Sequence, residues 1–135
     1  MSVSGIGEVE FGEELEAFEF DTSLDNVRNF CAAAGWDGPR FTSHEAARDL
    51  GFPGAIVPGV MSQGALGAMI HGWAPTGSIS RIDTVFRAPV LVDQPASITA
   101  VVTDVDEDES IVELDLTIAN EAGETRVFGT AKVKF

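Results

Sequence analysis

Few side chains in this sequence can move a proton near neutral pH. They are His44, His71 and a lone Cys31, in a chain of 135 residues with 22 acidic and 8 basic side chains and a formal net charge of -14. Histidine titrates closest to neutrality and is the commonest general acid or base. His44 follows Ser43, a good helix N-cap, so it falls in the first turn of a short helix, where a surface histidine is commonplace. His71 ends an apolar segment and is expected to cap its last carbonyls. Cys31 sits in an apolar helical pattern with no cation beside it to favour the thiolate, so it reads as a small buried hydrophobe; a single cysteine also excludes an internal disulfide. The run Asp104-Val105-Asp106-Glu107-Asp108-Glu109 has the acidity of a metal loop but neither the central Gly nor the closing Glu of an EF-hand. It lies between two alternating apolar segments and is expected to be a solvated hairpin turn, with no metal.

The elements that would position these groups can be read from patterning. The spacing predicts a short strand at Phe18 to Phe20, then a helix capped by Ser23 over Leu24, Val27, Phe30, Cys31 and Ala34 that stops at Gly35. A second helix runs from Ser43 through Ala47 and Leu50 to Gly51. The segment Gly59 to His71 is apolar all round apart from Ser62, Gln63 and His71, which places that helix in the interior. Strands are expected over Ser78 to Ala88, Ala96 to Asp104, Ser110 to Asn120 and Glu124 to Phe135. In the third of these, Val112, Leu114, Leu116 and Ile118 alternate with Ile111, Glu113, Asp115 and Thr117, giving one dry and one wet face. A buried helix covered by an antiparallel sheet is an α+β architecture, and residues 1–135 are expected to form one domain. The strong negative charge opposes binding to nucleic acid or to an anionic membrane. With no apolar run of about 18 residues and no signal-like start, the chain is expected to be soluble and cytoplasmic.

The stretch Gly35-Trp36-Asp37-Gly38-Pro39-Arg40-Phe41-Thr42-Ser43-His44-Glu45-Ala46-Ala47, followed by Gly51-Phe52-Pro53-Gly54-Ala55-Ile56-Val57-Pro58-Gly59-Val60-Met61, resembles the signature of the MaoC-like hydratases and dehydratases. Gly72-Trp73-Ala74-Pro75, Val85-Phe86-Arg87-Ala88-Pro89-Val90 and Gly129-Thr130-Ala131-Lys132-Val133 also look like family positions. The resemblance implies the hot-dog fold, an antiparallel sheet wrapped around a central helix at about 59–72, and an acyl thioester as ligand. The family writes its motif Asp-x-Asn-Pro-x-His-x-Asp. With the prolines superimposed, Trp36 takes the place of the catalytic Asp and Phe41 that of the catalytic His, as in the degenerate N-terminal type of the family.

Hydrating an enoyl thioester needs a base for the water, an acid for the α-carbon, and donors for the enolate-like oxygen. The resemblance assigns the last role to the helix-start N–H of Gly59, helped by Val60, with Trp36 and Phe41 as substrate-binding walls. An acid/base pair would have to be rebuilt from Asp37, one residue late, and His44, beyond Phe41. No cofactor is implied. Any of Arg40, Arg81 and Arg87 could hold coenzyme A phosphates or simply pair on the surface. Three readings stay open. The chain is an acyl-CoA or acyl-carrier thioester-binding subunit working with a catalytic MaoC-like partner, a self-sufficient lyase using Asp37 and His44, or a non-catalytic acyl-CoA binding protein. A homodimer or heterodimer is expected, because a lone hot-dog sheet leaves an edge strand exposed.

Overall fold

The alternating apolar positions of the second half pair into one antiparallel sheet. In the computed structural model, which describes residues 2–135, its strands are β1 (Phe18–Phe20), β2 (Ser78–Phe86), β3 (Ala96–Asp106), β4 (Ile111–Asn120) and β5 (Thr125–Lys134), ordered β1-β3-β4-β5-β2. Val112, Leu114, Leu116 and Ile118 of β4 are buried beside Ile98, Ala100 and Val102 of β3 and Val127, Ala131 and Val133 of β5. Because side chains alternate, a one-residue slip of β4 would turn this whole row to solvent. The acidic run was expected to be a turn throughout, but its first half, Asp104 to Asp106, ends β3 and only Glu107 to Glu109 enter the β3–β4 turn, where Asp106 Oδ1 accepts the Glu109 N–H at 3.1 Å. Ahead of β1, the N-terminal segment lies along β3: Gly12 and Leu15 donate to the carbonyls of Val102 and Ala100.

The helices start and stop where the polar punctuation directs. α1 (Leu24–Ala34) begins with Ser23 Oγ accepting the Asn26 N–H at 3.2 Å and ends at Gly35, whose φ of 72° is left-handed and cheap only for glycine. Val27 and Cys31 face the core, and burial pushes the Cys31 thiol up, away from the reactive thiolate. A short α2 (Pro39–Thr42) was not predicted from the apolar spacing; Pro39 at its first position supplies the fixed φ that starts it. α3 (His44–Asp49) is capped by Ser43 Oγ on the Ala46 N–H.

The long helix, α4 (Gly59–Trp73), lies on the inner face of the sheet. Met61, Ser62, Leu66, Met69, Ile70 and Trp73 are buried. Complete burial of a side chain such as Leu66 or Ile70 contributes about 1.5–3 kcal/mol. The sequence predicts a helix enclosed on every side, and here the structure differs. Val60 is 56% exposed, and Gly64, Ala68, His71 and Gly72 share the open side. A single sheet is one layer and covers one side of a helix; on the other side Gly64, Ala68 and Gly72 are small, so Val60 is the one large apolar side chain of α4 left mainly open. The expected capping by His71 is also not formed. The Ala74 N–H closes the helix on Ile70 O at 2.8 Å, and the exposed His71 ring has no hydrogen bond among the described residues. Among those residues no helix is long and apolar enough to cross a membrane.

Candidate functional site

The start of α4 is placed by backbone pairing, before any side chain is considered. Residues 55–57 lie antiparallel to 90–92, with Val57 N–H on Val90 O at 2.8 Å and Val92 N–H on Ala55 O at 2.9 Å. Between these two bonds, Ile56 N–H donates to Arg40 O at 3.0 Å. That one bond ties α2 to the approach of α4 and brings the loop carrying Trp36 and Phe41 beside Gly59.

Trp36, Asp37, Phe41, Gly59 and Val60 line one recess of about 550 Å³, together with Arg40, Gln63 and Phe86. Its aromatic wall is the pair Trp36 and Phe41, whose rings lie 5.9 Å apart and tilted by 34°, with Phe30 supporting Trp36 edge to face at 88°. Phe86, from the end of β2, stands over Gly59 so closely that an added Cβ there would lie 3.1 Å from its ring. Gln63 Nε2 donates to Thr84 Oγ1 at 2.6 Å and pins α4 to β2.

The helix start itself is electrophilic. Pro58 caps α4 without a side-chain acceptor, and its carbonyl takes the N–H groups of both Met61 and Ser62. The N–H groups of Gly59 and Val60 are left with no acceptor among the described residues. Unpaired donors at the positive end of a helix dipole favour a carbonyl oxygen that gains negative charge.

His44 stands elsewhere. It is not among the residues lining the recess, and both of its ring nitrogens are in use. Nδ1 accepts the Ala55 N–H at 3.0 Å, so Nε2 carries the proton and donates it to Asp93 Oδ2 at 2.8 Å. Asp93 Oδ1 also takes the Leu24 N–H at 2.9 Å, and the Asp93 backbone, at φ 64°, donates to Thr22 O. The hydrogen bond from His44, followed by that from Leu24, holds the Asp93 carboxyl below its ordinary value. His44 thus joins α3, the 53–55 loop, the Asp93 turn and the start of α1. The structure does not bring Asp37 and His44 together as a proton-transfer pair. Asp37 is the one acidic side chain on the recess wall, exposed and without a hydrogen bond among the described residues.

Sequence reasoning missed Gln63, Phe86 and Asp93. Phe86 stood inside a quoted motif, but its place over Gly59 depends on β2 crossing the helix start. Asp93 lies 49 residues from His44, and only a non-glycine residue in left-handed backbone, invisible in sequence, marks it.

No family model matches the chain, and no curated protein matches it in sequence. Solved structures do. The (R)-hydratase from A. caviae involved in PHA biosynthesis superimposes with a TM-score of 0.88 at 22% identity, over 95% of this chain and 98% of that one. The ChsH1–ChsH2 complex from Mycobacterium tuberculosis gives 0.85 at 15% identity, over 94% and 98%. The C-terminally truncated HadBC (3R-hydroxyacyl-ACP dehydratase) complex, from the same organism, gives 0.74 at 21% identity, over 93% and 98%. The chain has the α+β hot-dog fold of the MaoC-like proteins, with the five-stranded sheet laid over α4.

Proposed function

We propose that this protein is the acyl-thioester-binding subunit of a MaoC-like 2-enoyl-thioester hydratase or 3-hydroxyacyl-thioester dehydratase, and that a partner subunit supplies the acid and base. The observation that carries this reading is the pair of unpaired N–H groups at Gly59 and Val60, opening on a recess walled by Trp36 and Phe41. The thioester carbonyl accepts from Gly59, with Val60 in support, and the acyl or pantetheine chain runs along the aromatic wall. Developing charge on the carbonyl oxygen is then stabilised by donors already in place, which is the contribution such a site makes to enolate chemistry.

The missing half is proton transfer. Trp36 and Phe41 cannot supply it. A self-sufficient lyase built on Asp37 and His44 is disfavoured, because the only free lone pair of the neutral His44 ring is taken by the Ala55 N–H. Two of the solved structures of the same fold are complexes of unlike subunits, ChsH1–ChsH2 and HadBC, which supports a heterodimer over a homodimer of this chain. Such a pair is proposed to work in the cytoplasm, where the buried Cys31 thiol stays reduced.

The test is reconstitution. The pure chain is assayed with crotonyl-CoA, alone and with a MaoC-like protein carrying an intact Asp-x-Asn-Pro-x-His motif. Hydration by the mixture, sensitive to Gly59→Val in this chain, is the expected result. Efficient hydration by the chain alone would overturn the partnered reading, and binding with no hydration in any mixture would favour a non-catalytic acyl-thioester binding protein.

A further inference from the structure

Beyond the Trp36 wall, Gly59 and Phe86 also border a second recess, of about 380 Å³. Part of its lining is apolar and dry, with Val57, Val90 and Val127 all buried. Arg40 and Arg87 stand exposed on the same recess. The other four arginines are occupied. Arg28, Arg48 and Arg126 donate through Nε to the carbonyls of Thr42, Pro53 and Pro89, and Arg81 is paired with Asp83. Arg40 and Arg87 alone have neither an ion pair nor a side-chain hydrogen bond among the described residues. The Arg40 guanidinium lies 4.7 Å from the Phe41 ring centroid, a contact that orients it and leaves its N–H edge free.

Two unpaired cations at one place are conspicuous on a molecule where carboxylates outnumber basic groups 22 to 8. Among the described residues no carboxylate lines this recess, so the arginines have no internal competitor there. A hydrocarbon acyl group would suit the three valines. Against the arginines it would displace water from two guanidinium groups without replacing its hydrogen bonds. An acyl group that ends in a carboxylate satisfies both parts of the recess, its methylenes on the valines and its oxygens on the planar guanidinium forks. The paired cations also offset locally the repulsion that the rest of the chain exerts on an anion.

We propose that Arg40 and Arg87 bind a carboxylate carried by the acyl group itself, so that the preferred substrate is the thioester of a short dicarboxylic acid. This rests on the thioester reading of Gly59 and names the acyl class. A carbonyl accepting from Gly59 leaves its acyl chain beside that residue, and a terminal carboxylate then lies only a few bonds away, within the same recess. The two arginines thereby set specificity and take no part in proton transfer.

Titration calorimetry on the full chain compares glutaryl-pantetheine with pentanoyl-pantetheine, which match in length and differ in ending with a carboxylate or a methyl group. Neither carries a phosphate. The glutaryl thioester should bind about 10-fold tighter or more. Arg40→Ala and Arg87→Ala should each weaken it by about 3- to 10-fold and leave the pentanoyl thioester within about twofold. Arg81→Ala should change neither, Arg87→Lys should recover part of the loss, and added salt should weaken the glutaryl thioester alone. Equal affinity for the two thioesters, with both still sensitive to Gly59→Val, would overturn the carboxylate subsite and leave the Gly59 reading standing. Arginine variants that weaken pentanoyl-CoA but not glutaryl-pantetheine would also overturn it, by making the arginines contacts to the carrier. Free glutarate bound through both arginines, with neither thioester sensitive to Gly59→Val, would keep the carboxylate subsite and remove the thioester reading.

Discussion

Two polar regions of this molecule, one around His44 and one at the start of α4, use their hydrogen-bonding capacity in opposite ways. Around His44, both ring nitrogens and both Asp93 carboxylate oxygens are matched to partners within the fold. At the start of α4, two backbone donors and two arginines have none among the described residues. A satisfied network stabilises the fold, whereas an unsatisfied but solvent-reachable one is available to a ligand. The side chain best suited to proton transfer belongs to the first group, and the second contains no such side chain apart from the exposed Asp37. Binding and proton transfer are thus separated in this chain, as expected if the second function belongs to another subunit.

That contrast can be broken most decisively by activity. Losing one acid/base participant commonly costs about 10²–10⁴-fold in rate. With Trp36 and Phe41 in both positions, the isolated chain should hydrate crotonyl-CoA no faster than binding and carbonyl polarisation allow. His44→Ala should leave the rate of a reconstituted pair unchanged once stability is matched, whereas a large drop would return His44 to the chemistry. The next effect in size is steric. Gly59→Val forces a branched side chain against the Phe86 ring and over the Gly59 N–H, and loss of the carbonyl's hydrogen bond there, about 0.5–1.5 kcal/mol, weakens thioester binding roughly 2- to 12-fold. Calorimetry with crotonyl-pantetheine reads this without the phosphates, and Phe86→Ala in the same background should recover part of the loss.

The clamp acts on stability and not on affinity. His44→Ala leaves the N–H of fully buried Ala55 without its acceptor, which costs about 1–3 kcal/mol in denaturant unfolding. The last expectation is a pH dependence. Because the folded Asp93 carboxyl is held below its ordinary value, its stabilising contribution is complete above the unfolded carboxylate range and is lost as pH falls through the folded value. Asp93→Asn should flatten that part of the acid limb of stability against pH while leaving the region near neutrality with the same slope. An unchanged acid limb would show that other carboxylates govern it.

Much of the fold was legible because it depends on local rules. Ser23, Gly35 and Ser43 punctuate the helices where capping chemistry says they should, and the alternation of Val112 through Ile118 places β4 and its buried face. The open side of α4 was not legible, since an all-apolar sequence does not say how many layers surround it. The recess was half legible. Trp36, Phe41 and Gly59 came from the motif, whereas Phe86 and Gln63 join them only because β2 returns across the helix start. Distinguishing Arg40 and Arg87 from Arg81 was beyond the sequence, because that difference lies in what each guanidinium touches after folding. The same holds for His44, whose partner Asp93 comes from a distant turn.

The two tryptophans carry a practical consequence. The chain has no tyrosine, so its near-ultraviolet emission is theirs alone. Trp73 is 5% exposed, with its indole N–H 3.3 Å from Glu13, while Trp36 is 39% exposed on the recess wall. One indole emits from a dry interior and the other from a wet surface, so their spectra are offset and respond to different events. A ligand entering the recess should shift or quench the red-side emission of Trp36, and unfolding should move the blue-side emission of Trp73. Trp36→Phe removes the first reporter and keeps the second, giving the molecule separate optical readouts of occupancy and of integrity without any attached label.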